Sequence, residues 1–127
     1  MKHAMIFLAL LITCWMNPRQ SQAGIGMNSL EILTHYGYKT LEGDSIIELG
    51  NILLYYDAEK DVVYEQWVKI IPSTLNKAND FFQLLKNEYP KADELGWFQY
   101  SENIIVCIRM DMKNMRDYYI HLKLINY

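Results

Sequence analysis

Cysteine, proline, histidine and net positive charge are all scarce in this chain. Its 127 residues contain two cysteines, three prolines, six glycines and three histidines. Two cysteines exclude a disulfide-rich scaffold, so stability must come from burial. So few prolines and glycines exclude collagen and low-complexity material, and 51% hydrophobic residues exclude intrinsic disorder. Acidic residues outnumber basic ones by 15 to 12. That balance argues against nucleic acid or an anionic membrane surface as the partner.

Residues 4–16 (AMIFLALLITCWM) form an apolar run behind Lys2 and His3, broken by Asn17-Pro18-Arg19. As a helix the run spans about 20 Å, short of the ~30 Å hydrocarbon thickness of a membrane. Ser21-Gln22-Ala23 then offers small residues where a signal peptidase requires them. The pattern predicts a secretory signal over residues 1–23, cut after Ala23, and a single domain over 24–127. A second choice is lipidation at Cys14, since Leu11-Ile12-Thr13-Cys14 loosely follows a lipobox. All 15 acidic residues lie beyond the leader, whereas Lys2 and Arg19 lie within it, which leaves the mature chain more acidic still. The protein is expected outside the cytoplasm, in the periplasm or at the cell surface, with no transmembrane segment after cleavage.

Period-two alternation marks half-buried strands in the last third. Over residues 104–112 the even positions Ile104, Val106, Ile108, Met110 and Met112 are apolar; over 118–125 so are Tyr118, Ile120, Leu122 and Leu124. Joining them across the polar residues 113–117 favours Met110 opposite Ile120, Arg109 opposite His121 and Cys107 opposite Lys123. Residues 97–100 form another strand, with Asn103 suited to a left-handed loop position. Upstream, 46–56 and 62–71 flank the turn 57–60. Pairing Leu53 with Tyr64 sets Glu48 against Lys69 and Trp67 over Gly50, a shift of two residues remaining open.

Leu75, Ala78, Phe81, Phe82, Leu85 and Tyr89 make one apolar helical stripe, started by Pro72-Ser73-Thr74 and stopped before Pro90. Residues 30–40 alternate as in a strand, although Asn28-Ser29 could cap a short helix; strand is the chosen reading. The expected fold is α+β, β-β-β-α-β-β-β: an antiparallel sheet of five to six strands with one helix on a face.

Tyr55-Tyr56-Asp57, the run Val62-Val63-Tyr64-Glu65-Gln66-Trp67-Val68-Lys69-Ile70-Ile71, and the closing Tyr118-Tyr119-Ile120 and Tyr127 together resemble the surface-adhesin protein E-like exported bacterial domains. The resemblance covers roughly residues 46–127. It implies an exported antiparallel-sheet domain with a binding or adhesion role, and it assigns no functional residue.

Motifs of known chemistry are largely missing. Asp57-Ala58-Glu59-Lys60-Asp61 begins like a calcium loop, but Val62 stands where glycine is needed and Val68 where the bidentate glutamate is needed. Beyond the leader, His35, His121 and Cys107 are too few for a closed zinc site. No phosphate loop or hydrolase elbow occurs. No metal or cofactor is expected. One arrangement of reactive type is Cys107 diagonal to His121, with Arg109 and Lys123 near; a thiolate beside cations is nucleophilic, but a cysteine between Val106 and Ile108 is more commonly a small hydrophobe.

Tyrosine is abundant, at ten residues. Tyr55/Tyr56 and Tyr118/Tyr119 are adjacent on strands, so one of each pair faces outward unless both faces are covered. Tyr56, Trp67, Trp97 and Tyr119 are the candidate interaction residues. The expectation is a non-enzymatic exported protein, monomer or homodimer, that binds a protein partner, basic by charge complementarity. A periplasmic inhibitor or immunity-type protein is the runner-up, and a Cys107-dependent enzyme the third reading.

Overall fold

The computed structural model describes residues 24–37, 43–111 and 116–125. The leader with its cleavage site and Cys14, residues 38–40 of the expected first strand, Met112 and Tyr127 lie outside the described residues.

The chain starts with a correction. Residues 29–36 are helical rather than extended, giving α1 (Ser29–Tyr36). Asn28 caps it, its side chain accepting from the Glu31 N–H at 2.9 Å while Glu31 accepts from the Asn28 N–H at 3.1 Å. Gly37 ends the helix in the left-handed region, φ 77°. This reciprocal cap satisfies two helix N–H groups that alternation alone does not count. Ile32 is fully buried, whereas Leu30 and Leu33 are 67% and 40% exposed, so the apparent apolar alternation does not describe a buried strand face.

Residues 46–56 form two strands, not one. β1 (Ser45–Leu49) and β2 (Ile52–Asp57) are joined by the two-residue turn Gly50-Asn51, with Gly50 at φ 64°. β3 (Val62–Lys69) pairs with β2 through Leu53↔Trp67 and Ile52↔Val68, so Leu53 does not meet Tyr64 and Trp67 does not cover Gly50. A bulge between Tyr55 and Tyr56 takes up one residue of the difference. Asp57 and Asp61 of the calcium-like run, and Asp44 beside it, accept from backbone N–H groups. Asp57 accepts from Lys60, Asp61 from Ser29 and Asp44 from Ala58.

The chain then enters α2 (Leu75–Glu88), capped by Thr74, whose hydroxyl accepts from the Lys77 N–H. Tyr89 closes it in extended geometry before Pro90. Ala78, Phe81 and Leu85 are buried as the stripe predicts; Leu75 overhangs into solvent. β4 (Phe98–Gln99), β5 (Ile104–Met110) and β6 (Tyr118–Leu124) complete a six-stranded antiparallel sheet ordered β1-β2-β3-β6-β5-β4. Asn103 is not left-handed; Asp61 is the one described non-glycine residue with positive φ.

β5 and β6 pair two residues away from the expected register. Cys107 faces His121 directly, Arg109 faces Tyr119 and Met110 faces Tyr118. A two-residue slide keeps every side chain on its face, so alternation could not detect it. The fold is α+β, α-β-β-β-α-β-β-β in order, with α2 on the sheet.

The core lies under the helices. Ile52, Leu54, Val68, Val106, Ile120 and Leu122 meet Ile32, Phe81 and Leu85 in one cluster. The segment that enters α1 is tied to β3: the Gly26 N–H donates to Val63 O and the Val63 N–H to Met27 O. Gly24, at φ +91°, leaves no room for a side chain, since a Cβ there would sit 2.8 Å from a Leu54 methyl. Among the described residues no helix is long and apolar enough to cross a membrane.

Candidate functional site

Strand alternation sends Leu53, Trp67, His121 and Cys107 to the face opposite the helix-packed core. They stand in register on four neighbouring strands, β2, β3, β6 and β5. One row of side chains therefore crosses the middle of the sheet. Trp67 stacks on the His121 imidazole, ring centres 3.8 Å apart and planes 18° apart. Tyr119 meets Trp67 edge-on at 5.9 Å. From β5's far side Trp97 tilts against His121 at 5.0 Å, and the Arg109 guanidinium lies 5.5 Å over the Trp97 ring.

Glu65 fastens this cluster. Its Oε2 accepts from the Trp67 indole N–H at 3.2 Å and lies 2.9 Å from His121 Nε2. His121 is 5% exposed, and burial pulls its pKa down to about 4 against the opposing pull of Glu65. At neutral pH the imidazole is thus uncharged, with its Nε2–H given to Glu65 and the Nδ1 lone pair turned to Cys107 Sγ, 4.0 Å away. Burial raises the Cys107 thiol pKa, and Arg109 opposes that rise. The pair is a neutral thiol beside a neutral imidazole, not the thiolate–imidazolium pair that activates a cysteine nucleophile.

Beside the row a groove of about 500 Å³ opens between Leu53, Tyr55, Trp67 and Tyr119 on one side and Arg109, Met110 and Asp111 on the other. Its floor is apolar and aromatic, and its rim is charged. Tyr55 is propped by an edge contact to Tyr64 at 6.3 Å.

The four candidate interaction residues separate. Trp67 and Tyr119 are half-buried and line the groove. Trp97, 8% exposed, belongs to the same cluster but is shielded within it. Tyr56 is a correction: it is 4% exposed, on the core face, its hydroxyl donating to Asp61. That bond raises the Tyr56 pKa and lowers that of Asp61. The outward member of the pair is Tyr55, because β2 turns Leu53 and Tyr55 to the groove and Ile52, Leu54 and Tyr56 to the core. Cys107 and His121 are opposed across β5 and β6, closer than the diagonal expected. Sequence reasoning missed Glu65, Leu53 and Tyr55 as members of the site. The Glu-x-Trp spacing at 65 and 67, which sends both to one strand face, was the available signal for Glu65.

Among the described residues no group of three or more His, Cys, Asp or Glu side chains is placed to hold a metal ion. Compared with protein families, curated proteins and solved structures, the chain matches none.

Proposed function

We propose that this is a non-enzymatic exported protein that binds a protein partner through the aromatic face of its sheet. The observation carrying this reading is the groove between Trp67, Tyr119 and Tyr55, on the face opposite the helix-packed core. Aromatic side chains held by strand pairing lose little entropy on binding and supply large contact area. Glu65 and His121 brace Trp67 from behind, so the platform is formed before any partner arrives. Arg109 and Asp111 at the rim suit orientation by charge. The apolar leader supports the periplasm or cell surface as the place of action, and the resemblance to surface-adhesin protein E-like domains supports an adhesive role.

The test is capture from envelope extract by immobilised protein, comparing the parent with Tyr55→Ser/Tyr119→Ala in the groove and with Leu30→Ser on α1. The expected outcome is one partner retained by the parent and by Leu30→Ser and reduced at least tenfold by the groove variant. A soluble enzyme or toxin held one to one would identify an inhibitor, and a host matrix component an adhesin. Capture that survives the groove variant, with its folding verified by thermal unfolding, would overturn the assignment of the binding face.

A further inference from the structure

We propose that Cys107 Sγ and His121 Nδ1 form a two-coordinate binding site for a soft monovalent cation, Cu(I). Two bonds of about 2 Å laid end to end span about 4 Å, and the two atoms stand 4.0 Å apart on directly opposed residues of β5 and β6. Tetrahedral zinc would draw the same atoms to roughly 3.6 Å and would need two more ligands. No third His, Cys, Asp or Glu side chain joins the pair among the described residues. The geometry therefore suits an ion content with two ligands in line.

The surroundings agree with that choice. Glu65 accepts the His121 Nε2–H at 2.9 Å, which fixes the tautomer that presents Nδ1 as a lone pair. A carboxylate behind a ligating imidazole is the usual outer support of a metal-bound histidine. Binding replaces the thiol proton by the metal: Cys107 releases H⁺ to solvent, an S–Cu and an N–Cu bond form, and no electron is transferred. Cu⁺ with a thiolate is neutral overall, so the buried site gains no net charge. Arg109, two residues along β5 on the same face, favours the thiolate against its burial and disfavours the extra charge of a divalent ion. Trp67, stacked on the imidazole, and Trp97, tilted against it, shield the pair from water.

The test is anaerobic titration of the reduced full chain with Cu(I) against a chromophoric Cu(I) chelator, read also by tryptophan fluorescence and copper X-ray absorption. One equivalent is expected to bind with quenching, with one sulfur and one nitrogen at about 2 Å from copper. Affinity is expected to fall at least a hundredfold in Cys107→Ser, about tenfold in Glu65→Gln, and not at all in Cys14→Ser. Zn(II) is expected to compete poorly. Undiminished binding in Cys107→Ser, a copper shell of three or more ligands or of sulfur alone, or Zn(II) held as tightly as Cu(I) would each overturn the proposal. The X-ray absorption result decides the matter even if a variant fails to fold.

Discussion

The two faces of the sheet solve the same burial problem with different residues. On the helix side Ile52, Leu54, Val68, Val106, Ile120 and Leu122 are almost wholly buried, with the polar Gln66 buried among them. The helices supply the cover, so small branched side chains suffice. On the other side the row Leu53–Trp67–His121–Cys107 must largely cover itself, and it does so with large flat rings held in register. Such self-covering brings titratable and sulfur-bearing groups into low-dielectric contact while leaving aromatic surface at the groove. The helix side is closed by the helices, whereas the ring side keeps aromatic surface open at the groove.

The largest effect that sharpens this contrast is expected at Leu85, fully buried on α2. Leu85→Ala should cost about 2–5 kcal/mol in urea unfolding through lost transfer energy and a residual cavity. A change below about 1 kcal/mol would mean that α2 is not what closes the core.

Next in size is the pH response of the ring side in metal-free protein. In the unfolded chain His121 takes up a proton below ~6.5, but in the folded one only below about 4. Between those values unfolding binds a proton, so the stabilisation is complete above ~6.5 and is lost as pH falls toward 4. At ~1.4 kcal/mol per pH unit the loss approaches about 3 kcal/mol. Glu65 from β3 works against the shift, while Arg109 from β5 and Lys123 from β6 work with it. Denaturant midpoints of the parent against His121→Gln across that range check this. A variant profile as steep as the parent's would assign the acid sensitivity to other groups.

A smaller effect is expected at the end of α1. Asn28→Ala removes the acceptor for the Glu31 N–H and should cost about 1 kcal/mol, read by thermal unfolding. Smallest of all in stability is Tyr119→Ala, expected to change it by under about 1 kcal/mol yet to abolish most partner capture. A large stability loss there would make the ring side a second core instead of a binding face.

Much of the strand and helix pattern was legible. Alternation over 104–110 and 118–124 and the stripe through Ala78, Phe81 and Leu85 report directly which side chains turn inward. Boundaries and registers were not. Leu30, Ile32, Thr34 and Tyr36 alternate, but the cap between Asn28 and Glu31 and the stop at Gly37 make those residues helical. Asn28-Ser29 offers a cap in the sequence, and Glu31 three residues on is the stronger sign of a helix. Gly50-Asn51 is a two-residue hairpin turn inside a stretch, 46–56, that reads as one strand. The β5–β6 slide preserved faces while moving His121 from a diagonal to a direct neighbour of Cys107. Tyr56 was misassigned for a related reason, since adjacent tyrosines on a strand do not reveal which one the helices will cover.

Composition and periodicity alone determined an antiparallel sheet with a packed helix, because side-chain direction along a strand or helix is a local property of the backbone. Which strands become neighbours, and at what offset, is a long-range outcome that periodicity leaves degenerate by two residues. Tertiary pairing therefore decided that Trp67, His121 and Cys107 share one row, and that Glu65 reaches both Trp67 and His121. The chemistry of the ring side exists only once the strands are in register, since its partners lie as many as 56 residues apart in the chain.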